Sequence, residues 1–327
     1  MKKNVAIVYG GFSSEAVVSE KSLAGLMSFI DSEHYNLIPV FISKTEWAAV
    51  IDGQHYEIDK TDFSFDAGKG KTKIDFAYIT IHGQPGENGQ LTGYFEMIDL
   101  PHSTCPSLIS AMTYDKYVCN NYLRGFGIKV ADSVLVRKGK TYDAKGIVER
   151  LGLPCFVKPA AGGSSFGVSK VSNANDIVPA IDKAMKESDE VIIESFLAGT
   201  EVTCGLYKTA KRTVIFPLTE VVSGNEFFDY EAKYTPGVAK EITPARVSDD
   251  VRDRVWATAS EVYDIMDMKG IVRIDFIICN GTPYLLEVNT TPGMTMTSFI
   301  PQQIRANGMQ PKDVFTEVID DILNNCK

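Results

Sequence analysis

One stretch near the C-terminal end, residues 273–293, constrains this chain more than any other. It reads as two apolar strands joined by an Asn280-Gly281 turn. Charged and polar residues stand inside those strands: Arg273, Asp275, Glu287 and Asn289. An aspartate among Ile274, Phe276 and Ile277 costs several kcal/mol unless something compensates it, and a bound divalent cation would do so. Side chains alternate along a strand, so Arg273 shares a face with Asp275, and Glu287 shares one with Asn289. A two-residue turn would send the two sets to opposite faces. A three-residue turn, Asn280 to Thr282, sets Asp275 opposite Glu287 and gathers all four groups. The second register is expected. It yields a patch of oxygen ligands suited to Mg²⁺, Asp275, Glu287 and Asn289, with a guanidinium beside it.

Composition narrows the context. The chain has 327 residues, 44% hydrophobic and 23% charged, enough for two or three compact units with a substantial core. Its net charge is −9 and no basic stripe runs along it, so no nucleic-acid partner is expected. The lysines at 69, 71 and 73 read as a solvated loop. Six cysteines are scattered without a Cys-x-x-Cys pair, which argues against a zinc site or redox pair. The first apolar run is too short for a signal peptide, and no stretch approaches the roughly 18 apolar residues of a membrane span. A soluble, cytoplasmic protein without a membrane partner is the expectation.

The first hundred residues alternate strand and helix. Strands are expected at 4–9, 36–43 and 74–81, and a helix from the Ser13–Ser14 cap to about Ile30, as in a small parallel α/β layer. The loop 82–89, glycine-rich and opened by His82, follows the third strand, at the sheet edge that ligands favour. It reads equally well as a plain turn. One helix is expected at 107–125, others at 174–186, 248–268 and 311–324.

Further segments carry chemistry. Lys158 ends a Phe-Val strand and is followed by a glycine- and serine-rich loop, 162–167, of the kind that offers N–H groups to phosphate. It is not a Walker A loop, and no G-x-G-x-x-G is present. Glu194 closes an apolar strand before Phe196 and Leu197; it could read an adenine amino group or be an ordinary strand-end carboxylate, and Glu201 is equally ambiguous. Residues 227–234 concentrate aromatics and charge in a loop, as active-site lids do. The Thr-, Ser- and Gly-rich stretch 290–298 follows the hairpin and offers amides and hydroxyls to a carboxylate.

Together and in this order, these segments resemble the D-alanine–D-alanine ligases of the ATP-grasp superfamily. The resemblance runs from about residue 4 to 320 and rests on Glu15 with Ser19, His82 with Glu87, Asp115-Lys116, Lys158 with Ser164 and Ser165, Glu194 with Glu201, Tyr230 to Tyr234, Arg273 with Asp275, and Glu287 to Ser298. It implies an α/β, three-domain ATP-grasp architecture: an N-terminal Rossmann-like parallel α/β domain (1–104) and two α+β domains (105–198 and 199–327) that clamp ATP. By the same resemblance, Lys116 and Lys158 would bind phosphates and Lys233 would reach the transferred one. Glu194, with backbone at Phe196 and Leu197, would bind adenine, Glu201 the ribose, and Phe227 would cover the base. Asp275, Glu287 and Asn289 would hold two Mg²⁺ ions, or Mn²⁺. Glu15 would hold the first D-alanine's ammonium and form a triad with Ser164 and Tyr234, with His82 also on the substrate. Arg273 and Gly293 would face the oxyanion, and Ser298 with Phe299 the second D-alanine's carboxylate. ATP and D-alanine are the implied substrates and a homodimer the implied assembly. The chain departs from the family pattern at Ala160-Ala161-Gly162, Asn88, Thr297 and Cys105-Pro106. Tyr234 is the residue type of dipeptide-forming members and argues against D-lactate as second substrate. A D-serine acceptor, another carboxylate–amine pair and a non-catalytic nucleotide-binding protein are the rival readings.

Overall fold

The structure, a computed structural model, describes residues 2–13, 15–162, 166–223 and 239–325. Expectations that fall on Ser14, Ser164, Phe227, Lys233 and Tyr234 lie outside the described residues.

The N-terminal part contains β1 (Lys3–Gly10), α1 (Ala16–Phe29), β2 (Tyr35–Ile42), β3 (Trp47–Ile51), β4 (Gln54–Glu57), the short β5 (Phe65–Asp66) and β6 (Lys71–Thr72), β7 (Phe76–Ile79) and α2 (Gln90–Met97). Its sheet runs β4-β3-β2-β1-β7. The parallel layer expected from the sequence is there, with β1 parallel to both β2 and β7. Val5 to Val8 are fully buried, covered on both faces as parallel sheets require. An antiparallel hairpin, β3–β4, extends the sheet beyond the expected strands; its turn is Asp52-Gly53 with positive φ at both residues. Lys71 belongs to β6 rather than to a free loop, and bridges Asp59 and Asp62 at 3.2 and 2.8 Å.

The single helix expected at 107–125 is two, α3 (Ser107–Tyr114) and α4 (Lys116–Arg124). Asp115 breaks it: its backbone is extended and its carboxylate caps α4 by accepting from Val118 N at 3.0 Å. There follow β8 (Ser133–Arg137), α5 (Ala144–Leu151), β9 (Cys155–Pro159), β10 (Ser169–Val171), α6 (Ile177–Ala184) and β11 (Glu190–Ser195). These strands form an antiparallel sheet in the order β10-β9-β11-β8. The apolar stripes of α5 and α6 cover one face of it, with Ile147, Leu151 and Ile181 against Val157, Val191 and Ile193.

The last part holds β12 (Thr200–Lys208), β13 (Thr213–Ile215), β14 (Thr219–Ser223), β15 (Ala239–Ile242), α7 (Asp249–Ile265), β16 (Val272–Cys279), β17 (Thr282–Asn289), α8 (Phe299–Ala306) and α9 (Pro311–Asn325). Its sheet runs β15-β14-β12-β16-β17, with β13 also beside β12. Alternation divides this sheet cleanly. Val202, Cys204, Ile274 and Phe276 point into a core shared with α7 and with Cys119 and Leu123 of α4. Glu201, Thr203, Asp275 and Ile277 point the other way, into a cavity. A second core joins this sheet to the N-terminal one: Leu26 and Phe29 of α1 meet Ile300, Ile304 and Phe315 of α8 and α9. Contact is close at Gly25, where a Cβ would lie 2.0 Å from the Met294 carbonyl oxygen; Ser22 Oγ accepts from Met294 N at 3.4 Å nearby.

The β16–β17 hairpin confirms the expected pairing but not the expected turn. Cys279 pairs with Thr282, so the turn has two residues, and Asn280 and Gly281 both take positive φ as such a turn demands. A β-bulge then inserts Leu286 as an extra residue, and beyond it Asp275 faces Glu287 and Arg273 faces Asn289. The bulge supplies the one-residue shift that had been assigned to the turn.

Candidate active site

The outward face of the hairpin forms one wall of a cavity of about 870 Å³. Arg273 donates to Asp275 from Nε to Oδ1 and from Nη2 to Oδ2, each at 2.9 Å, with a longer contact from Nε to Oδ2 at 3.3 Å. Asn289 Nδ2 donates to the same Oδ2 at 3.2 Å. Glu287 lies 3.6 Å from the Lys116 ammonium and 3.9 Å from the Arg273 guanidinium. Thr203 is the cross-strand neighbour of Asp275, and its buried hydroxyl has no hydrogen-bond partner among the described residues. Two carboxylates, a carboxamide and this hydroxyl on one face are hard oxygen donors, the set that Mg²⁺ and Mn²⁺ take. Among the described residues no three His, Cys, Asp or Glu side chains gather around one point, so the remaining ligands of a cation here would come from a phosphorylated substrate or water.

The central sheet forms a second wall. Cross-strand pairing of β9 with β11 brings Lys158 and Glu194 together in a 2.6 Å ion pair. Both side chains are almost wholly buried, and Asn120 Nδ2 reaches Glu194 Oε1 at 3.4 Å. Expected to serve separate tasks, these two residues are partners in the fold. Lys116, at the start of α4, donates to the Gly162 carbonyl at 2.7 Å and so bridges this sheet to the hairpin. Phe196 is half-exposed at the rim, with Phe156 on one side and the Lys170 ammonium 5.3 Å from its ring.

The third wall comes from the N-terminal part. Glu15 occupies the cap position of α1, where a serine was expected, and its carboxylate and Ser13 Oγ crowd Gly83. In the 82–89 loop, Gly83 N donates to Glu87 Oε2 at 2.6 Å. Burial, with Glu15 nearby, pushes the Glu87 carboxyl up to about 8. Burial, with Arg273 nearby, pushes the His82 imidazole down to about 4, and its buried Nε2 has no partner among the described residues. At the far end, Ser298 occupies the N-cap position of α8 without a side-chain capping bond, and its Oγ takes a hydrogen bond from Thr295 N at 3.0 Å. Gly293 lies against that hydroxyl, and the Phe299 ring stacks under the Arg273 guanidinium at 5.4 Å.

Every expected site residue among the described ones lines this cavity, including Leu197 and Glu201. The sequence reading assigned no task to Glu87, Tyr114, Thr203 or Glu241, which line it too. Glu87 had a signal, a carboxylate within a glycine-rich loop at a sheet edge. The other three had none, because only the packing of distant elements brings them in.

Three sheets around a cavity with this polar lining define an ATP-grasp architecture. Comparison with known proteins agrees. The D-ala D-ala ligase N-terminus family matches residues 4–105, and the D-ala D-ala ligase C-terminus family matches residues 122–320. A D-alanine--D-alanine ligase of Phocaeicola vulgatus is 56% identical over 98% of this chain and 99% of its own. Among solved structures, D-alanyl-alanine synthetase A of Vibrio cholerae superposes with a TM-score of 0.89 at 26% identity, covering 99% of both chains. The VanG D-Ala:D-Ser ligase of Enterococcus faecalis superposes with a TM-score of 0.87 at 26% identity, over 98% of this chain and 100% of its own. The chain belongs to the D-alanine–D-alanine ligase family.

Proposed function

We propose that this protein joins two D-alanines into D-alanyl-D-alanine at the expense of ATP, giving ADP and phosphate, for peptidoglycan precursor synthesis. The observation that carries the reading is the hairpin: Asp275, Glu287 and Asn289 on one face, with Arg273 among them, in the same cavity as Lys116, Lys158 and Glu15. Membership of the family, at 56% identity to a D-alanine ligase, supports D-alanine over D-serine as the acceptor.

A carboxylate is a poor electrophile, so the first D-alanine is activated as an acyl phosphate before the second amine attacks. When bound at the hairpin, two Mg²⁺ ions would offset charge on the phosphoryl group in transit. The protein's own residues do the rest. Lys116 and Lys158 hold phosphate oxygens, and Lys233 reaches the transferred group. Glu194 and the Phe196–Leu197 backbone take the adenine, Glu201 takes the ribose, and Phe227 covers the base. Glu15 holds the first ammonium beside His82, and with Ser164 and Tyr234 closes the site against water. Arg273 and the Gly293 amide stabilise the oxyanion as the tetrahedral centre forms. Ser298, at the head of α8, and Phe299 take the second carboxylate, favoured by the helix N-terminus. Three separate sheets support a division into 1–104, 105–198 and 199–327, although α3 and α4, within 105–198, pack on the third sheet. A homodimer in the cytoplasm completes the reading; among the described residues no helix is long and apolar enough to cross a membrane.

The test is turnover with ATP, Mg²⁺ and D-alanine, following phosphate and product mass. One ADP and one phosphate per D-alanyl-D-alanine is the expected result. ATP binding without dipeptide would reject it.

A further inference from the structure

Glu241 has no part in the mechanism above, yet its surroundings give it one. Cross-strand pairing places it in a row with Val221, Glu201 and Ile277, and all four line the cavity. Its Oε2 accepts a 2.6 Å hydrogen bond from Gln302 Nε2, and the same nitrogen donates to the Thr297 carbonyl at 2.6 Å. The carboxylate is thereby tied to the turn that delivers Ser298. Its Oε1 has no hydrogen-bond partner among the described residues; burial raises the carboxyl's pKa, opposed by the Gln302 hydrogen bond and by Arg273, whose Nε and Nη2 are bonded to Asp275. An orientated anion with a spare oxygen thus stands at the end of the cavity where the acceptor's carboxylate is held.

We infer that Glu241, held by Gln302, is a specificity-determining residue that recognises the ammonium of the acceptor amino acid. This rests on the ligase reading. It follows from charge: an acceptor anchored by its carboxylate at Ser298 still presents an ammonium, and a fixed carboxylate favours it over the neutral hydroxyl of a 2-hydroxy acid.

The experiment compares the wild-type protein with Glu241→Gln, an isosteric change at an exposed position, and Gln302→Leu. Each is given ATP, Mg²⁺ and either D-alanine alone or D-alanine with D-lactate. For Glu241→Gln the KM of the second D-alanine should rise about tenfold or more, the scale of one lost charge-assisted contact. The KM values of ATP and the first D-alanine should hold, and the ratio of D-alanyl-D-lactate to D-alanyl-D-alanine should rise by a similar factor. Gln302→Leu should show the same pattern, weaker. Both products falling together, or neither changing, would overturn the inference. A wild-type protein that forms no dipeptide would instead fail the ligase reading, before any variant is compared.

Discussion

The acids of the hairpin and the acids of the 82–89 loop share a cavity but live under different conditions. Asp275 is clasped by Arg273 at 2.9 Å, and Glu287 lies within 4 Å of both Arg273 and Lys116. Glu87 has a backbone amide and the like charge of Glu15, with Lys116 and Arg273 acting only at longer range. The hairpin sets its carboxylates against cationic side chains. The loop holds a carboxyl and an imidazole whose neutral forms are favoured, so their charge depends on what approaches. The first arrangement suits a cation that must always find its ligands. The second suits a zwitterion whose own charges complete the site.

The largest effect expected from breaking this contrast is at the hairpin. Glu287→Ala should cut turnover by about a hundredfold or more while the protein stays folded, because charge on the moving phosphoryl group loses its support. Phosphate release beside a thermal melt checks it, and near-normal turnover would remove the metal assignment. Next comes the buried pair. Lys158→Met alone should lower unfolding stability by about 3–5 kcal/mol, since it strands Glu194, whereas Lys158→Met with Glu194→Leu should recover much of the loss. Urea unfolding of the two variants separates charge from packing.

Smaller effects belong to the loop. A carboxyl raised to about 8 in the folded state binds a proton that the unfolded chain has already lost above about pH 4.5. Wild-type stability should therefore fall as pH rises from about 5 to 8, by at most about 1.4 kcal/mol per pH unit, relative to Glu87→Gln. For His82 the sign reverses: with the folded imidazole near 4, stability is lost as pH falls from about 6.5 to 4, and His82→Asn should flatten that limb. Denaturant midpoints across that range, without substrates, read both. Parallel curves for wild type and variants would place the two groups outside any titration that matters to folding.

The hairpin was legible because polar residues in apolar strands demand an explanation, and the pairing of Asp275 with Glu287 followed from that demand. The route to it was not. Asn280-Gly281 is itself the signature of a two-residue turn, and the adjacent Leu285 and Leu286 break the polar–apolar alternation where the bulge stands. Read together they indicate a two-residue turn followed by a bulge, where the expectation was a three-residue turn, Asn280 to Thr282. The break between α3 and α4 had its sign in Asp115, a cap residue amid a helical pattern. The Lys158–Glu194 pair could not be read, because the order of strands in a sheet fixes which residues face each other and the sequence alone does not give that order. Glu241 was invisible for the same reason, on β15 at the edge of a different sheet.

The contact at Gly25 has a consequence for how this cavity can drift over time. The helix that begins at Glu15 and the turn that leads to Ser298 meet there backbone to hydrogen, with no side chain between them. The gap between the places proposed for the two amino acids is thus gauged by main chain, which point substitution elsewhere leaves alone. The lining can vary its chemistry, residue by residue, while the ruler that spaces donor from acceptor stays the same length.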